Sequence, residues 1–265
     1  MPLAVSVLLF FLVSIVASMI GIGGGVFYVP LLLLMHYSFH VASTISLFLI
    51  AITGFSAFLR YRKAHLVDWK LAVVMEVFTD IGAFIGGFTS VQINPVFLKI
   101  LFAVILFAIA AITLKAQKVE AKNKPLKRGF GFWYREFNGV SYSIPLVYMI
   151  PVTFTAGYLS GLLGIAGGVL KVPLMILWFT IPSKIAIATS ALMVSFTALT
   201  GLGGHLINTQ IDWSLTLGLA LVVFIGGQLG SRISVKLPEK KINKILGLVF
   251  IILAVFMTIQ TLLMA

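Results

Sequence analysis

Few side chains in this chain can do chemistry, and their spacing limits what that chemistry is. Glu76 and Asp80 stand four residues apart within an apolar run, so a helix carries both carboxyls on one face. Lys171 follows Gly168 by three residues inside another apolar run. Charges in such surroundings are costly unless paired or hydrated, and they mark pathways, proton relays or counter-ions. Two readings stay open. Lys171 attracts an anion while Glu76 or Asp80 carries a coupling proton, or the three neutralise one another as a structural ion pair.

Around these charges lie two glycine runs, Gly21-Ile22-Gly23-Gly24-Gly25 and Gly164-Ile165-Ala166-Gly167-Gly168, followed by Pro30 and Pro173. Backbone broken inside a membrane must find hydrogen-bond partners or line a wet cavity. A helix restarting after such a break presents free N–H groups and a positive dipole end, which suits an anion. Gly23, Gly24, Gly25, Gly167 and Gly168 are therefore candidate substrate-binding residues, against the alternative that they only permit close packing. Thr44, Thr189, Ser190 and Gln228 are candidate donors to the same anion, although hydroxyls on membrane helices commonly bond back to their own backbone. Gly82/Gly86 and Gly226/Gly230, spaced by four, read as helix–helix contacts. His36, His40, His65 and His205 sit at span edges and read as interfacial. Their spacing signals no metal site, and no cofactor motif or catalytic constellation occurs.

Those residues are held in a chain of 265 residues that is 60% hydrophobic and 10% charged, with a mean hydropathy of +1.14. Soluble domains are nearer about 25% charged, so a soluble or disordered protein is excluded. The chain has no cysteine, which excludes disulfides and thiolate chemistry. Apolar segments run over Leu3–Met35, Val41–Leu59, Leu71–Val91, Val96–Leu114, Ile144–Ile181, Ile185–Leu206, Leu215–Ile233 and Ile245–Ala265. A crossing takes roughly 20 residues, so the first and fifth segments are too long for one helix. Each is broken by a glycine run and reads as a hairpin. Leu3–Ile20 is long enough to cross alone, which predicts unequal or tilted arms.

The pattern occurs twice. Gly21–Pro30 corresponds to Gly164–Pro173, Thr44 to Thr189, Asp68-Trp69 to Asp212-Trp213, and Gly82/Gly86 to Gly226/Gly230, at offsets of 143 to 145. Such duplication is common in secondary transporters. The net charge of +12 would suggest nucleic acid on a soluble protein, but here it records topology. With two hairpins and three crossings per half, 17 of the 19 Lys and Arg fall on one side, leaving Lys99 and Lys171 elsewhere. That requires the two halves to be inverted. The expected fold is all-α and polytopic: a first membrane repeat over 1–114, a basic cytoplasmic linker over 115–143 and a second repeat over 144–265. The linker, with Trp133, Tyr134 and Phe137, reads as a loop against lipid headgroups, with a short interfacial helix left open.

The doubled Gly21–Pro30 and Gly164–Pro173 elements resemble the signature of the sulfite exporter TauE/SafE family. Ala188-Thr189-Ser190-Ala191-Leu192, Ile211-Asp212-Trp213 and Gly226-Gly227-Gln228-Leu229-Gly230 resemble its second-half motifs. The resemblance implies a multi-pass carrier of the cell membrane that moves a small sulfur-containing anion: sulfite, a sulfonate or a related organosulfur acid. Export is the implied direction, and the chain is expected not to be an enzyme. Partners are then that anion and the lipid bilayer, with no nucleic acid and no cofactor; a homo-oligomer is compatible with the sequence. The rival reading is a metal-cation or proton-coupled cation carrier using Asp80, Glu76 and His36.

Overall fold

A computed structural model describes residues 3–117 and 130–242, together with 244, 245, 248, 249 and 252. The protein is an all-α polytopic membrane protein: five of its helices are long and apolar enough to cross a membrane. Helices α1 (Leu3–Met19) and α2 (Gly25–Leu34) form the first broken hairpin, followed by α3 (Phe39–Lys63), α4 (Trp69–Ser90) and α5 (Pro95–Gln117). The second half repeats the order with α6 (Leu146–Leu163), α7 (Gly168–Leu177), α8 (Ser183–Leu206) and α9 (Trp213–Lys236). The last expected span, Ile245–Ala265, lies largely outside the described residues. The hairpin arms are unequal. The second arms, α2 and α7, have 10 residues each, about 15 Å of helix and half the hydrocarbon thickness.

Local chemistry sets these boundaries. Asp68 caps α4 by accepting from the Lys70 and Leu71 amides at 3.1 and 3.2 Å, and Asp212 caps α9 through Ser214 and Leu215 at 2.9 and 3.2 Å. Asn94 does the same for α5, accepting from Val96 at 2.8 Å. Helix α3 ends in Arg60, Arg62 and Lys63, cations that suit the negative end of its dipole.

Packing pairs the halves across one another. Helix α4 crosses α6 and α1 crosses α9, while α3 and α8 lie side by side at the centre and also touch α9 and α4. Each pairing maps onto its counterpart when the halves are exchanged. The glycines spaced by four are the contact points. A Cβ on Gly82 would lie 2.8 Å from the Tyr158 nitrogen and one on Gly86 2.9 Å from that of Leu162, while Gly157 and Gly161 of α6 abut the Thr79 and Ala83 carbonyls. Gly226 and Gly230 press in the same way on Phe11 and Ile15 of α1.

The linker departs from expectation. Instead of a loop, its described end is an antiparallel β-hairpin, β1 (Phe132–Phe137) paired with β2 (Val140–Pro145). Asn138 and Gly139 turn it, both at positive φ (52° and 73°), as a two-residue turn between twisted strands requires. Strand β2 runs directly into α6, and the turn is tied to the first half by Asn138 Nδ2 donating to the His65 carbonyl at 2.8 Å. Arg135 then grips the fully buried Asp68 with a two-pronged contact, Nε to Oδ2 at 2.9 Å and Nη2 to Oδ1 at 2.7 Å, and the Tyr142 hydroxyl donates to Oδ2. Burial alone would raise the Asp68 carboxyl; the Arg135 and Tyr142 contacts and the Leu71 amide outweigh it and hold it below the ordinary range. Asp212 caps its helix at the opposite position with an exposed carboxylate.

Two tests follow from this packing. Gly86→Ala, which puts a methyl into the α4–α6 crossing, is expected to cost about 1–3 kcal/mol, read as a lower melting temperature in detergent. Gly218→Ala, with nothing within 4 Å, leaves it unchanged. Because the Asp68 pKa is depressed, its stabilisation holds above the ordinary carboxylate range and is lost as pH falls through the depressed value. Asp68→Asn is expected to remove about 3 kcal/mol and flatten that acid limb. An unchanged acid limb, or a hairpin no more open to proteolysis, would contradict the role of this pair.

Candidate functional site

The two glycine breaks restart their helices in the same way. Gly24 precedes α2 with φ 96° and Gly167 precedes α7 with φ 70°, a left-handed geometry that side chains rarely adopt. Ala166 takes a positive φ of 50° where the first run has Gly23 at 78°. The breaks face each other across the repeats. A Cβ on Gly25 would lie 2.8 Å from the Ile165 Cα, and one on Gly168 would lie 2.7 Å from the Ile22 Cα. At the start of each second arm, the Gly24 and Gly167 carbonyls accept from the third and fourth amides of the helix. The amides of Gly25, Val26, Gly168 and Val169 have no acceptor among the described residues.

The first arms end differently, because three matching carbonyls at each break accept from side chains. Tyr61 donates to the Ser18 carbonyl at 2.8 Å, Ser234 to Met19 at 2.8 Å and Ser190 to Gly21 at 2.7 Å. In the second half His205 Nε2 bonds the Gly161 carbonyl at 2.7 Å, Ser90 donates to Leu162 at 3.0 Å and Ser46 to Gly164 at 2.9 Å. These are the same six positions at offsets of 143 and 144. Ser190 thus braces the break from its carbonyl side. His205, expected at a water interface, is fully buried and contacts Thr44 Oγ1 through Nδ1 at 3.3 Å.

The remaining hydroxyl and amide candidates also sit in the framework. Thr44 donates to the His40 carbonyl at 2.7 Å, Thr189 accepts from the Asp68 amide at 3.1 Å, and Gln228 donates to the Ser56 carbonyl at 2.6 Å. The Thr44 bond stays within α3, those of Thr189 and Gln228 join opposite halves, and none of these bonds is to a tip amide.

Charge collects at one place. Lys171 is fully buried and its Nζ donates to Glu76 Oε2 at 2.7 Å and to Thr197 Oγ1 at 2.6 Å. Glu76 Oε1 accepts from the Thr197 amide at 3.1 Å and from its hydroxyl. One turn along α4, the half-buried Asp80 accepts from Thr200 at 3.3 Å. The stem of Lys171 passes the tip itself: a Cβ on Gly167 would lie 3.5 Å from Lys171 Cε. Glu76 and Lys171 form an ion pair beside the α7 tip, while Asp80 stands outside it.

Thr197, absent from the sequence-based candidates, is the residue that joins the pair to α8. Its signal is the repeat: Thr197 corresponds to Thr53 and Lys171 to Tyr28, and the Tyr28 hydroxyl bonds Thr53 Oγ1 at 2.9 Å. His36 lies in the turn after α2 with no bond to Glu76 or Asp80, and among the described residues no three His, Asp or Glu side chains gather as a metal would need. A cavity of about 420 Å³ between α6 and α7 touches Val169 of the tip, but Pro151, Leu159, Leu170, Pro173 and Trp178 make its walls apolar. It suits hydrocarbon, so the charged cluster remains the candidate site.

A polytopic bundle of this kind, with broken helices meeting at its centre and a buried charge cluster beside them, defines a membrane transporter. The chain belongs to the sulfite exporter TauE/SafE family, whose model matches residues 6–257. It is similar to the probable membrane transporter protein YunE of Bacillus subtilis, 30% identical over 266 residues and 96% of each chain. It is also similar to a probable membrane transporter protein of Methanocaldococcus jannaschii, 25% identical over 93% of this chain and 92% of that one. No solved structure matches it.

The ion pair can be weighed by a double-mutant cycle. Lys171→Ala strands a buried carboxylate and is expected to cost about 3–5 kcal/mol. The Glu76→Ala/Lys171→Ala double variant costs clearly less than the two single losses together, read by thermal denaturation in detergent. Additive losses would show that the two charges do not interact.

Proposed function

We propose that this transporter moves a small sulfur-containing anion, sulfite, a sulfonate or a related organosulfur acid, out of the cell across the cell membrane by alternating access. The observation that carries the anion reading is the meeting of two helix N-termini with four amides, at Gly25, Val26, Gly168 and Val169, uncommitted among the described residues. Such ends present positive charge and donors without a side chain. Lys171 adds the one full positive charge buried beside them among the described residues. The family's description as a sulfite exporter supports the substrate class.

Alternating access rests on the duplication. The exchange of packing partners between halves, with 17 of 19 cations assigned to one side, supports inverted repeats that rock about the central α3–α8 contact. Thr44, Thr189, Ser190 and Gln228 act in this reading as the cross-repeat joints that re-form between states. Glu76 or Asp80 carries the coupling proton. The carrier changes the side on which the anion stands and makes or breaks no covalent bond in it, so it is not an enzyme.

Purified protein in liposomes, given labelled sulfite or a sulfonate, is expected to catalyse uptake that accelerates under an imposed pH gradient. Absence of flux for every sulfur oxyanion tried would sink the proposal.

A further inference from the structure

We infer that Glu76 is a tethered competitor of the transported anion: its carboxylate holds the Lys171 ammonium until a proton removes it, so that one proton and one monoanion enter the site together. This rests on the anion reading above and deepens it into an obligatory coupling.

The two halves provide the control. In the first, the second arm is held to its neighbour by a neutral contact, Tyr28 hydroxyl to Thr53. In the second, the corresponding contact is Lys171 to Thr197, and Glu76 is added from α4 where the repeat has Ala220. Both arms take the same posture, and both side chains pass beside the glycine that caps their own helix. Holding the arm therefore needs no charge. A buried ion pair is commonly no more stabilising than an apolar replacement, because desolvation offsets the attraction. The charge is better explained by what it binds.

Lys171 already grips an oxyanion, namely the Glu76 carboxylate. The geometry is that of a ligand site: an ammonium, the Thr197 hydroxyl and the start of α7, where the Gly168 and Val169 amides lack acceptors among the described residues. An incoming anion would meet two acids against one base, which repels it. Protonation of Glu76 changes this. The proton occupies the oxygen that faced Lys171, while Oε1 stays held by the Thr197 amide and hydroxyl. Lys171 then offers its charge to a sulfur oxyanion, whose further oxygens reach the tip amides. When the proton leaves, Glu76 takes the ammonium back and expels the anion. The charged groups facing Glu76 are Lys171 from α7 and Asp80 from its own helix; α8 contributes the hydroxyls of Thr197 and Thr200, and α6 turns Tyr158 toward Thr89.

Methanesulfonate is the probe of choice, being a monoanion at every working pH. Titrated calorimetrically into the purified protein in buffers of different ionisation heat, it is expected to bind with uptake of one proton, and its affinity to rise about ten-fold for each pH unit lowered. Glu76→Gln, a fixed mimic of the protonated acid, binds with the same affinity across that range and takes up no proton. Glu76→Ala/Lys171→Tyr copies the first repeat and is expected to stay folded while binding nothing. Wild-type binding without proton uptake overturns the competition alone, as does Glu76→Gln with its pH slope intact. Failure of the wild type to bind either methanesulfonate or sulfite at any pH removes the anion reading, and the competition falls with it.

Discussion

A helix broken inside a membrane exposes backbone that no water satisfies, and the rest of this molecule is arranged around that problem. The carbonyls freed at Ser18, Met19 and Gly21, and at Gly161, Leu162 and Gly164, each receive a side-chain donor. An unsatisfied carbonyl there would cost several kcal/mol in hydrocarbon. Four of the six donors come from the opposite half, so closing one break requires the other repeat to be in place. The amides that start the second arm after each break have no acceptor among the described residues, so each break pairs capped carbonyls with bare amides.

The near-symmetry of the halves makes their differences informative. At the second arms it is broken by charge, Lys171 and Glu76 standing where the other repeat has Tyr28 and Ala220. At the helix starts it is broken by the β-hairpin, which reinforces α4 through Asp68 and leaves α9 with an exposed Asp212 cap. Both asymmetries fall on α4, at its buried N-terminus and two turns later at Glu76. One helix therefore carries the strap and the charge.

Much of the architecture was legible in the sequence, because glycine runs, proline and apolar length are local signals. The helix ranges follow the apolar segments within a few residues, and the breaks fall where the glycines do. What stayed hidden depends on distant partners. Glu76 and Lys171 are 95 residues apart, and their pairing needs the fold to bring α4 and α7 to the same stretch of α8, at Thr197. His205 stands at a span end yet is buried, because the carbonyl that holds it belongs to Gly161 in another broken helix. The strands around Asn138-Gly139 carry a hairpin signal, but one short enough to be masked by the basic segment around it. Thr197 was readable only through its counterpart, since a lone threonine on a membrane helix ordinarily bonds to its own turn.

The Ser190 brace on Gly21 has a consequence for biogenesis. Donor and acceptor are separated by 169 residues. At ordinary translation rates of about 5–20 residues per second, roughly ten to thirty seconds pass between synthesis of the first break and arrival of the hydroxyl that completes it. During that interval the Gly21 carbonyl lacks the side-chain donor that it has in the folded protein. The first hairpin must rest near water, or within the insertion machinery, until α8 emerges. Final burial of the first hairpin is thereby timed by the C-terminal half of the protein.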